Sequence, residues 1–100
     1  MLVSVRDNNE AIPTSIELGQ NYPNPFNGET TFEFSMPREE PVRLRILNVL
    51  GQEITTILDD DVSAGKHRIR WVAQHLASGV YYYRFETNTQ FSTRKLLFVR

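Results

Sequence analysis

The chain contains no cysteine. That removes zinc-finger, iron–sulfur and thiol chemistry and leaves no disulfide to hold a fold. Neither sign of charge dominates: eleven basic residues stand against twelve acidic ones, a formal net of −1. Nucleic-acid binders carry a clear basic excess, so no nucleic-acid partner is expected. Histidine is scarce, with His67 and His75 alone. No apolar stretch approaches the ~18 residues of a membrane-spanning helix; the run Leu96–Val99 has four. The opening MLVSVRDNNE lacks the basic flank and apolar centre of a secretory signal.

What is there is a chain of 100 residues, 40% of them apolar, which suits one folded domain. A domain this small buries roughly two-thirds of the surface its unfolded chain exposes. That allows one modest core and leaves little room for a deep catalytic cleft. Residues 1–14 read as a polar linker and residues 15–100 as the domain. So small a domain opening on Met1 also reads as a piece of a longer parent. From Ser15 onward apolar residues recur at period two, the spacing of half-buried strands. Seven strands are expected, around Ile16–Leu18, Thr30–Met36, Val42–Asn48, Glu53–Leu58, Lys66–Trp71, Val80–Glu86 and Phe91–Val99. Pro37–Pro41, Gly51, Asp59–Gly65 and Asn88–Gln90 supply turn chemistry between them. Val72–Gly79 has helical composition but is short and ends in glycine, so it reads as a loop. Turn signals at this spacing predict an all-β chain, a seven-stranded antiparallel immunoglobulin-like β-sandwich. Core burial alone must hold it, at about 1.5–3 kcal/mol for each large side chain. The expected core is Phe32, Phe34, Leu44, Ile46, Ile69, Trp71, Tyr81, Tyr83 and Phe85.

Catalytic patterns do not emerge. His67 lies on the apolar face of its strand and reads as a core or rim residue, while His75 sits in a polar loop. Ser78–Gly79 marks a turn, but no G-x-S-x-G surrounds it. No carboxylate pair stands isolated in an apolar setting. Asp59, Asp60 and Asp61 point different ways and read as a solvated turn rather than a calcium loop. No catalytic, metal or cofactor site is expected. The basic stripes Arg43/Arg45 and Lys66/Arg68/Arg70 are expected on opposite sheets. Glu33 should face the Arg68/Arg70 row and Glu86 should flank Arg43, as ordinary cross-strand pairs. A glycan platform needs two or three coplanar exposed rings, and alternation turns only Tyr82 outward. Tyr22, Pro23, Asn24, Pro25, Phe26 and Asn27 form a stiff, extended loop ending in a turn. Tyr22 and Phe26 are expected to plug one end of the sandwich. The closing strand alternates poorly, because Leu96, Leu97, Phe98 and Val99 run together. It is expected to offer an edge or an apolar face to a partner.

The motifs also form an ordered series. It reads N-Y-P-N-P-F-N at 21–27, T-x-F-x-F ending at Phe34, and V-R-L-R-I-L-N-V-L-G-Q-E at 42–53. A-G-K-H at 64–67, Trp71, L-A-S-G-V-Y-Y-Y-R at 76–84 and T-R-K-L-L-F-V-R at 93–100 complete it. Over residues 16–100 the chain resembles the type A C-terminal sorting domain of type IX secretion, found in Bacteroidetes and their relatives. That class overlaps in sequence with immunoglobulin-like domains similar to the flagellar hook-capping protein. This chain departs from the pattern at Gly28, where a proline is usual, and at Val72–Ala73, where Asp-Gly is usual. The resemblance implies a non-enzymatic module at the C-terminus of a secreted or cell-surface protein. It implies that a fused N-terminal cargo crosses the periplasm and outer membrane by way of the secretion machinery with its shuttle or sortase. Sortase removal and attachment of the cargo to surface lipopolysaccharide are implied as well. By resemblance, recognition maps onto Lys95, Leu96, Leu97, Phe98, Val99 and Arg100, with Gly65, Ser78 and Gly79 as turn positions. Gly65 and Gly79 also suit turns that need positive φ. Weak self-association through the terminal strand is a further expectation. The alternative is an accessory carbohydrate-binding or structural module of a secreted polysaccharide-degrading enzyme.

Overall fold

The computed structural model describes residues 12–100. The expected linker over 1–14 therefore falls, apart from its last three residues, outside the described residues. The strands are β1 (Glu17–Leu18), β2 (Glu29–Met36), β3 (Glu40–Leu47), β4 (Glu53–Val62), β5 (Gly65–Val72), β6 (Gly79–Glu86) and β7 (Phe91–Phe98), and no helix occurs among the described residues. Two sheets form, β1-β2-β5 and β4-β3-β6-β7, with every strand pairing antiparallel. Packed face to face, they make the immunoglobulin-like sandwich that the strand spacing predicts.

Alternation is the cause. In β2 the side chains of Phe32, Phe34 and Met36 point inward, and in β3 those of Val42, Leu44 and Ile46 do the same. Tyr83 and Phe85 from β6 and Leu96 and Phe98 from β7 close the core from the other flank. Ile69, Trp71 and Tyr81 are only partly buried and pack against its margin. Phe32 meets Tyr83 edge-on across the sandwich at 4.9 Å between ring centroids, and Phe34 meets Phe85 at 5.0 Å. Such ring pairs add to stability beyond the area they bury.

One stretch differs from its composition. Asp59, Asp60 and Asp61 are not a turn; they continue β4 and pair with Arg43, Val42 and Pro41 of β3. β4 is an edge strand, where polar side chains cost little and guard the free edge against pairing with other chains. Register shifts opposite Leu44/Arg45 and Ile46/Leu47 bend the same strand, a second device that blunts an edge. The basic stripes do fall on opposite sheets. Arg68 meets Glu33 at 2.8 Å and Arg43 reaches Glu86 at 3.7 Å, while Arg70 turns to Glu29 at 3.7 Å.

Candidate functional site

The register defines two ends. β3, β5 and β7 finish at one end, where β2, β4 and β6 begin. The chain enters at the other, because β1 pairs with Phe34 and Ser35 near the end of β2. The first is called the distal end below.

The proline loop spans the distal end. Tyr22 bridges Thr31 of one sheet and Phe26 bridges Phe98 of the other, so Pro23, Asn24 and Pro25 carry the backbone from sheet to sheet. The loop is therefore not extended. It bends through Pro23–Pro25, and both Tyr22–Pro23 and Asn24–Pro25 are cis. The two aromatics also part company. Phe26 is 2% exposed and packs on Phe98 and Trp71 at 5.0 and 5.9 Å. Tyr22 is 79% exposed and plugs nothing. Its backbone bonds to Thr31 hold it on the outer flank of the loop.

A polar residue in the loop's stem is buried without having been expected there. Asn21 is 1% exposed. Its Nδ2 donates to the Pro23 carbonyl at 3.2 Å and to Thr30 Oγ1 at 3.0 Å, while Thr30 Oγ1 donates to the same carbonyl at 2.9 Å. The Asn21 backbone N–H donates to Tyr83 Oη at 3.2 Å, and that hydroxyl donates to the Gly19 carbonyl at 3.0 Å. Burial pushes the Tyr83 phenol up, against the lowering pull of its Asn21 bond and of Arg94, which keeps the hydroxyl a donor. Prolines supply no N–H, so buried carbonyls beside them need side-chain donors. The sequence signal for this was an Asn and a Thr flanking the proline run, which reads equally as turn polarity.

The closing strand meets this loop edge-on. Phe26 N–H donates to the Leu97 carbonyl at 3.0 Å, and Val99 N–H donates to the Phe26 carbonyl at 2.9 Å. Asn24 Oδ1 accepts from Leu97 N–H at 2.9 Å, and Gln20 Nε2 donates to the Lys95 carbonyl at 3.1 Å. The edge of β7 over Lys95–Val99 is thus occupied, which corrects the expectation that it offers pairing groups to a partner. Leu96 and Phe98 point inward at 0% and 6% exposure, so the folded domain does not present them. Lys95, Leu97 and Val99 lie exposed, with Lys95 opposite Tyr82 and Leu97 opposite Val80. Arg100 is tied back, its N–H to Ser78 Oγ at 2.9 Å and its guanidinium to the Leu76 carbonyl at 3.2 Å. Gly79 pairs with Phe98, and its φ is +154°. The structure therefore gathers the closing strand, Ser78 and Gly79. Gly65, with φ +121°, pairs with Met36 at the opposite end and stands apart from them.

Further along the same outer face, Glu86 accepts from Arg84 at 2.8 Å and from Arg45 at 3.1 Å. Burial alone would raise the Glu86 carboxyl, but the Arg84 hydrogen bond and the attraction of Arg45, Arg84 and Arg43 outweigh it and hold the group below its ordinary value. His67 stacks on Phe34 at 5.3 Å with Nε2 2.7 Å from the Ser63 carbonyl, a packed position at the core margin. The exposed rings Tyr22 and Phe91 lie at opposite ends of the domain and form no shared platform. The arrangement turns Lys95 and Leu97 outward on β7, with Val99 exposed just past its end.

Comparison with known proteins agrees with the motif series. The sequence model of the family described as "Secretion system C-terminal sorting domain" matches residues 20–99. No curated protein matches. Among solved structures, Pseudomonas fluorescens alkylpurine DNA glycosylase AlkC, bound to DNA containing an abasic site analog, is similar over 85% of this chain at 10% identity with a TM-score of 0.49. The chain spans 30% of the length of that protein.

Proposed function

We propose a delivery mechanism from the premise that this chain belongs to the family of secretion-system C-terminal sorting domains. Membership gives the role: a type IX sorting module that marks a fused N-terminal cargo for the cell surface or secretion, and not an enzyme family. The finer reading concerns what the machinery touches. The outer face of β7 is the recognition element, through Lys95, Leu97 and Val99, while Leu96 and Phe98 anchor it to the core. Ser78 and Gly79 hold its end in place. The proline loop, through Phe26, caps the sandwich and seals the β7 edge. A sortase then removes the domain and leaves the cargo attached at the surface.

The observation that carries this reading is the family match across residues 20–99, joined to the one-sided exposure of the closing strand. A reporter fused ahead of the chain tests it in a host with type IX secretion. Lys95→Ala and Leu97→Ser should lower surface reporter at unchanged thermal midpoint. Surface reporter cut free of the domain, at the mass of the cargo plus an anchor, supports the sortase step. Folded variants exported like the parent chain would refute the assignment of β7.

A further inference from the structure

The β3–β4 turn is built with unusual care for a surface loop. Asn48 Oδ1 accepts from Leu50 N–H at 2.9 Å and from Gln52 N–H at 3.0 Å. Asn48 N–H donates to the Gln52 carbonyl and Gly51 N–H to the Asn48 carbonyl, both at 2.9 Å. Asn48 Nδ2 also donates to Gln52 Oε1 at 2.9 Å. Turn tips are ordinarily polar, yet this one holds Val49 and Leu50 out at 66% and 78% exposure. They are not isolated. Ile54, Leu97 and Val99 on the four-stranded sheet, and Tyr22 and Val72 on the three-stranded one, are the other large apolar side chains left exposed at the distal end among the described residues. The described chain enters β1 at the opposite end of the sandwich from this apolar tip. Apolar side chains gathered on one end of a small domain mark a binding surface.

We infer that Val49 and Leu50, with Leu97 and Val99 beside Lys95, dock into an apolar recess of the secretion machinery that carries a carboxylate for Lys95. This rests on the sorting role above and adds the β3–β4 turn as a second contact element. Charge selects a protein occupant over a bilayer. Binding to anionic lipid draws on clusters of four to eight basic residues. Here Arg70 is paired with Glu29 and Arg45 with Glu53, and the whole chain carries −1. Among the described residues Lys95 and Arg100 are the cations at this end with no carboxylate beside them, Arg100 reaching only the Leu76 carbonyl. Two such charges fall short of a lipid-binding cluster, and the outward ammonium of Lys95 suits a single carboxylate. A second copy is disfavoured as the occupant, because the backbone edge of β7 over Lys95–Val99 is already bonded to the proline loop.

The test uses the reporter fused ahead of the full chain in a type IX host, with Val49→Ser/Leu50→Ser as the variant. Surface reporter should fall tenfold or more, with the thermal midpoint of the purified domain unchanged. If that double variant folds poorly, Leu50→Gln alone, at a 78% exposed site, takes its place and should still lower export severalfold. Export of the folded variant at the parent level overturns this inference and leaves the sorting role standing. A parent fusion that is folded but never exported overturns both. Co-sedimentation of the parent domain, but not the variant, with vesicles of phosphatidylglycerol and phosphatidylcholine would overturn the protein recess in favour of lipid. A dimer seen by sedimentation and lost in the variant would overturn it in favour of a second copy.

Discussion

Tyr22 and Phe26 stand four residues apart in one loop, and replacing each by alanine should have opposite consequences. Phe26 is 2% exposed, packs on Phe98 and Trp71, and sits where the loop crosses between the sheets. Truncating a buried phenylalanine costs about 3–5 kcal/mol, from lost burial plus the cavity left behind. Domains of this size have roughly 5–15 kcal/mol in total, so the loss is a large share. At about 4–8 °C per kcal/mol, the thermal midpoint should fall by at least ten degrees. Tyr22 is 79% exposed and hydrogen-bonds through its backbone, so Tyr22→Ala should stay within about 0.5 kcal/mol. Urea unfolding followed by the fluorescence of Trp71, the single tryptophan, measures both. The ring of Phe26 lies beside that tryptophan, so Phe26→Ala should also alter the native emission. Equal losses for the two variants, or a loss below about 1 kcal/mol for Phe26→Ala, would refute the assignment of Phe26 as the residue that closes the distal end.

Tyr83→Phe removes the hydroxyl that serves Asn21 N–H and the Gly19 carbonyl, and should cost about 1–3 kcal/mol in urea unfolding; an unchanged midpoint would discard the network. The Glu86 carboxyl lies below its ordinary value of 4.5. Its contribution is therefore fully present above that value and lost as pH falls through the lower, folded value. Glu86→Gln should flatten the decline of thermal midpoint with acid in that window, and parallel curves for parent and variant would contradict it. Gly65→Ala places a side chain at φ +121° with nothing to clash against, so backbone strain alone should cost about 1–3 kcal/mol. A neutral result would show that the turn relaxes.

Most of the sandwich was legible because period-two alternation is a direct consequence of strand geometry, and β2, β3 and β5 follow it closely. The pairing of β3 with β6 and of β2 with β5 was legible too, because an immunoglobulin-like strand order dictates it, and the cross-strand charge pairs follow from that order. The Asp59–Asp61 run was misread since composition speaks for turns, whereas pairing with β3 decides the backbone. Tyr22 was misplaced for a related reason: two aromatics in one proline loop look alike until the backbone bridges fix which faces inward. Asn21 and Thr30 were hidden because their burial answers carbonyls that only the folded loop brings together. The closing strand's apolar run did reveal two faces. Its sealed edge could not be seen, since the bonds that seal it reach back more than seventy residues to Asn24 and Gln20.

The central claim is that this domain carries cargo through type IX secretion. One measurement addresses it most directly: protease accessibility of a reporter fused ahead of the full chain, in a type IX host and in the same host lacking its outer-membrane translocon. The account predicts reporter cleaved at the surface of intact cells in the first strain, and protected in the periplasm of the second. Folded fusion protected equally in both strains would contradict it.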